Sequence, residues 1–114
     1  MYSDRRISCD AQGLTVRHYH FPMGSAKRIP WTQLRRVSKL DMGAGINGGR
    51  WRIWGSSDFR HWFNLDPQRP KKRWAFILDL GAFVRPVITP DDPAAFEREL
   101  GQHGKSVEPA TDRD

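Results

Sequence analysis

Apolar and polar positions alternate in short bursts along most of this 114-residue chain, then switch to a helical spacing near its end. Alternation with a period of two, or a short apolar run between turn signals, places strands at 7–9, 14–21, 27–29 and 35–40, then at 50–54, 61–66, 74–80 and 83–88. Turn formers separate them, among them Asp10-Ala11-Gln12-Gly13, Pro22-Met23-Gly24-Ser25 and Gly81-Ala82. Pro30 should end the third strand by removing a ladder donor, with a helical turn over 31–34 after it. Trp74-Ala75-Phe76-Ile77-Leu78-Asp79-Leu80 is the most apolar segment and reads as a core strand. The helix is predicted beyond Pro90. Asp92 is placed to cap it, Pro93 suits its first position, and Phe96 and Leu100 form one apolar stripe. Gly101 and Gly104 read as stop signals, and residues 105–114, polar and without periodicity, as a frayed tail.

The chain suffices for one domain, taken as residues 1–104, and is too short for two independently stable ones. Only 38% of its residues are hydrophobic, but five Trp and six Phe supply the large side chains a small core needs. The single Cys9 excludes an intrachain disulfide, so packing must provide the stability. No apolar run is long enough to span a bilayer and the first nine residues lack a signal-peptide core, so a cytoplasmic protein is expected, with the inner face of the membrane as a peripheral location.

Charge is divided unevenly. Residues 1–90 carry sixteen Lys/Arg against six Asp/Glu, whereas 91–114 carry three against seven. A basic body therefore bears an acidic helix and tail, and such a body attracts anionic surfaces.

The order of these segments carries a resemblance. Gly13-Leu14-Thr15-Val16 after a turn, Lys27-Arg28-Ile29-Pro30-Trp31-Thr32-Gln33-Leu34-Arg35-Arg36-Val37, and Ile88-Thr89-Pro90-Asp91-Asp92-Pro93-Ala94-Ala95-Phe96 together resemble small bacterial pleckstrin-homology-like (PH-like) domain proteins. The resemblance covers residues 7 to about 101. It implies a mostly β fold, a barrel of about seven antiparallel strands capped by one C-terminal helix, and a non-enzymatic module binding proteins, peptides or phosphoinositides. The turn at 10–13 lacks the cations that phosphoinositide-binding members place there, and Phe96 stands where eukaryotic members carry Trp.

Gly43, Gly45 and Gly48 spell Gly-x-Gly-x-x-Gly. A nucleotide cradle needs a helix directly after them, and the strand-like Arg50-Trp51-Arg52-Ile53-Trp54 follows instead, so a glycine hairpin loop is predicted. His18 and His20 share one strand face, and whether they meet Cys9 or His61 at a metal is left open by the spacing. No nucleophile elbow or paired-carboxylate motif marks an enzyme, and no cofactor is expected.

Two basic segments are candidate binding sites. Arg50, Arg52 and Trp54 fall on one strand face, where cations and a ring suit phosphates, bases or a peptide. Arg69, Lys71, Lys72 and Arg73 form a proline-stiffened loop with four cations in five positions. The expected partner is a protein or peptide, or a second copy of the chain; the alternative is weak attachment to anionic lipid or nucleic acid.

Overall fold

The computed structural model describes residues 2–20, 25–41, 61–63, 73–82 and 85–110. These form a mostly β protein with one C-terminal helix. In chain order the elements are β1 (Ile7–Cys9), β2 (Gly13–His20), β3 (Ser25–Pro30), β4 (Arg36–Asp41), β5 (His61–Phe63), β6 (Trp74–Asp79), β7 (Arg85–Ile88), α1 (Pro93–Gln102) and β8 (Val107–Pro109).

β1, β2 and β3 form an antiparallel sheet in sequence order, and the other strands form a second sheet in the order β5-β7-β6-β4-β8. Among the described residues no hydrogen-bonded pairing joins the two sheets, so a closed barrel is not what these strands display. The expectation of antiparallel pairing throughout is also corrected, because β5 pairs parallel with β7 and β4 parallel with β8. Parallel pairs require a crossover, and α1 supplies part of the one that brings the chain back beside β4.

Local chemistry sets the first hairpin. Asp10 Oδ1 accepts hydrogen bonds from the N–H groups of Gln12 at 2.9 Å and Gly13 at 3.0 Å, and from Arg28 Nη2 at 2.8 Å. The Arg28 guanidinium and these two N–H groups hold the Asp10 carboxyl down to about 2. This folded value lies below the ordinary carboxylate range near 3.9, so the stabilisation is fully present above about pH 4 and is lost as pH falls through about 2. We expect carboxyl-detected NMR to place the Asp10 midpoint near 2, and Arg28→Ala to move it back towards 4. A midpoint near 4 in the unaltered protein would contradict the turn geometry.

A single core cluster draws on both sheets and the helix. It includes Ile7, Leu14, Val16 and Ile29 from the three-stranded sheet, Val37, Phe76, Leu78 and Ile88 from the other, and Phe96 and Leu100 from α1. Ala75, Ile77 and Val87 form a second cluster. Since neighbouring strand residues point to opposite faces, β6 is buried on both, and this is why its sequence is continuously apolar rather than alternating.

α1 begins as its sequence requires. Asp92 Oδ1 accepts from the Ala95 N–H at 3.1 Å, and Pro93 follows at the first helical position. Its start is also tied to the other end of the chain. The Tyr2 hydroxyl donates to Asp4 and accepts from the Asp92 N–H at 3.1 Å, while Asp4 Oδ2 accepts from the Asp91 N–H at 2.9 Å. The helix closes at Gly104, not at Gly101, which lies within it. Gly104 has φ +74°, its N–H donates to the Gly101 carbonyl at 3.1 Å, and the Lys105 N–H donates to the Leu100 carbonyl at 2.9 Å. This is a Schellman arrangement, and it reverses the chain.

That reversal corrects the prediction of a frayed tail from residue 105. Val37, Ser38 and Lys39 of β4 pair with Val107, Glu108 and Pro109, and the Ala110 N–H donates to the Lys39 carbonyl at 2.9 Å. Val107 packs against the main core cluster, giving this otherwise polar segment its anchor.

Candidate binding surfaces

Three surfaces are candidates for recognition. The first is the edge of β3, a six-residue strand that pairs with β2 on one side and with no described strand on the other. Ser25, Ala26, Arg28 and Pro30 are exposed and Ile29 is buried. Arg28 lies across the sheet, donating to Thr15 Oγ1 at 2.9 Å as well as to Asp10. Where a sheet edge has no neighbour, its backbone donors and acceptors can pair with an extended chain.

The second surface surrounds Trp74. The Lys39 ammonium lies 4.6 Å from the ring centroid and the Arg73 guanidinium 4.7 Å, distances suited to cation–π attraction. Lys39 also donates to Glu97 Oε2 at 2.7 Å, tying β4 to the helix. Arg73 is the one sequence-predicted site residue that is described, and it is exposed. Arg50, Arg52, Trp54, Arg69, Lys71 and Lys72 lie outside the described residues, as do the glycine loop at 43–49 and the side chains of His18, His20 and His61.

The third surface is a cleft of about 260 Å³, lined by Arg35, Arg36, Gly104, Lys105, Ser106 and Glu108. It forms where the chain enters β4 and where it returns after α1. Lys105 Nζ is held by the Leu34 carbonyl at 2.9 Å. Arg36 and Glu108 approach at 3.9 Å across a half-exposed gap, a contact of little energetic weight. Sequence reading missed this cleft. Its only sequence signals were the dibasic Arg35-Arg36 and the lysine after Gly104, with nothing in the spacing to join them.

Two further groups bear on chemistry. Cys9 is 2% exposed, and burial, with Glu99, Asp4 and Asp10 nearby, pushes its thiol up to about 12, so it is an inert core residue rather than a nucleophile. Glu99 is buried on α1. Burial alone would raise its carboxyl, but hydrogen bonds, the one to His103 Nε2 at 2.9 Å among them, hold it below its ordinary value. His103 in turn stacks on Trp31, with centroids 4.2 Å apart, and Trp31 Nε1 donates to the Asp10 carbonyl at 2.9 Å. These contacts fasten the helix end to the first turn. Among the described residues no group of three His, Cys, Asp or Glu side chains is placed to hold a metal ion, and no helix is long and apolar enough to cross a membrane.

Compared with known proteins, the chain matches no family model, and no curated protein or solved structure is significantly similar to it.

Proposed function

We propose that this protein is a non-enzymatic PH-like binding module that takes an extended segment of a protein partner, or of a second copy of itself, along the edge of β3. The observation that carries this reading is the six-residue edge strand with no described neighbour on its outer side. Strand addition obtains affinity from main-chain hydrogen bonds, so it needs no catalytic group and no cofactor. The order of strands and helix supports the PH-like assignment. A cytoplasmic location remains part of the proposal.

A second reading, weak attachment to anionic lipid or nucleic acid, is supported by exposed Arg73 beside Trp74. Salt separates the two. Counterion-driven binding weakens steeply as salt rises, whereas main-chain pairing does not. Titration of isotope-labelled protein with a degenerate pool of uncharged extended peptides, and a concentration series of the protein alone, should shift the amides of β3 saturably at physiological salt. Binding confined to anionic vesicles or nucleic acid at low salt would favour the second reading and overturn the first, as would β3 amides that never move.

A further inference from the structure

The segment that returns after α1, residues 105–110, is fastened to β4 by contacts that the same segment of another copy supplies equally well. β8 lies parallel to β4 in three register pairs, Val37 with Val107, Ser38 with Glu108 and Lys39 with Pro109, and the Ala110 N–H donates to the Lys39 carbonyl at 2.9 Å. Lys105 Nζ donates to the Leu34 carbonyl at 2.9 Å. Because Lys39 turns its carbonyl to β8, Pro109 opposite it turns its own nitrogen away. The proline therefore costs no bond to β4 and blunts the outer side of the sheet. The apolar share of the segment is marginal. Val107 packs against the main core cluster and Ala110 against the second, both only partly buried, while every buried member of the two clusters lies elsewhere in the chain. Release of β8 thus bares the β4 edge and leaves both clusters in place.

The connection that holds β8 in place is short and turns on one residue. Residues 103–106 alone separate α1 from β8, and Gly104, with φ +74°, makes the reversal. A Cβ added to Gly104 would meet nothing within 4 Å, so the glycine is required by its backbone conformation and not by lack of space. A short hinge before a terminal strand is an arrangement from which segments exchange between copies. The contacts are the same in the closed and the exchanged forms, and only hinge conformation, chain entropy and concentration distinguish them. We infer that two copies of this chain exchange β8 by opening at Gly104, each laying residues 105–110 along the β4 edge of the other. The register fixes the occupant: the edge is fitted to a valine opposite Val37 and to an N–H one residue beyond the partner of Lys39, which the second copy carries by identity. This surface belongs to the other sheet from the β3 edge and does not depend on it. The exchange is reciprocal and closes on two copies, with Pro109 disfavouring the addition of a further strand.

Sedimentation of the full chain over a micromolar-to-millimolar series reads the dimer, and isotope-filtered NMR on a mixture of labelled and unlabelled copies reads whose β8 lies on whose β4. A concentration-dependent dimer is expected, with intermolecular contacts from Val37 and Lys39 to Val107 and Ala110. Gly104→Ala should strengthen dimerisation by about tenfold per hinge, because alanine is penalised in the left-handed conformation of the closed form and relieved in the opened one. Val107→Asp should give a folded monomer, since it removes the apolar anchor in either position while sparing the buried core. The inference is overturned if the natural chain and Gly104→Ala both sediment as monomers throughout the series, if Gly104→Ala leaves dimerisation unchanged, or if the dimer survives Val107→Asp. A dimer that keeps its β4–β8 contacts within each copy also overturns it, and saturable shifts of the β3 amides in that dimer would support pairing at the β3 edge instead.

Discussion

Replacing Phe96 with alanine should lower the unfolding free energy by about 3–5 kcal/mol, the range for large aromatic truncations in a core. The ring is fully buried, meets Phe76 edge-on with centroids 5.0 Å apart, and meets Tyr2 edge-on at 5.8 Å. Its loss removes apolar burial and two aromatic contacts at the place where helix, N-terminal segment and β6 converge. Few atoms there can move into the space, because Leu78, Ile88 and Leu100 are themselves fully buried. A domain of this size commonly has only about 5–15 kcal/mol in total, so the variant should be marginal at room temperature. Urea unfolding followed by tryptophan fluorescence measures the change. A loss below about 1 kcal/mol would show that α1 is peripheral to the core and would remove the main support for the domain architecture.

Gly13→Ala should be nearly as damaging, for a different reason. Gly13 opens β2 opposite Pro30, and a Cβ added there would fall on the Ile29 carbonyl and within 2.9 Å of the Pro30 Cα. Both obstacles are backbone, which no rotamer change can clear. The strands must separate locally, disturbing the Asp10 turn that ends at Gly13 and the Trp31 N–H bond to the Gln12 carbonyl. We expect a loss of about 3 kcal/mol, the upper end of overpacking penalties. Gly101→Ala, with nothing within 4 Å of the new methyl, is the matched control and should be neutral or stabilising within the helix. Equal stability for the two variants would mean that β2 and β3 do not approach so closely at Gly13.

Most of the secondary structure was legible because local signals decide it. β1, the Asp10 turn, β2 and β3 follow from alternation and from a carboxylate that can bond its own downstream backbone. The helix start follows from Asp92 and Pro93, and its buried stripe from the spacing of Phe96 and Leu100. Where the determining contact is remote, the sequence is silent. Val107–Pro109 has no strand signature of its own and becomes β8 because Gly104 turns it back onto β4. The two parallel pairings have the same character. Gly101 and Gly104 look alike as stop signals, and only the bonds to the Leu100 and Gly101 carbonyls decide that the second holds the left-handed position. The cleft was illegible because Arg35 and Lys105 are seventy positions apart. Of the residues first proposed for binding, Arg73 is the one the structure describes, and its partners Trp74 and Lys39 place it in a ring-and-cation contact that a charge count alone does not convey.

The bonds from Tyr2 and Asp4 to the backbone of Asp91 and Asp92 constrain how the protein is made. On the ribosome the β1–β2–β3 hairpins can form early, since their partners are close in sequence. The cluster they face cannot close until Phe96 and Leu100 are available, so the segments from β4 to α1 are synthesised while Leu14, Val16 and Ile29 lack their final cover. The excess of cations over the first ninety residues supplies mutual repulsion that disfavours association during that interval.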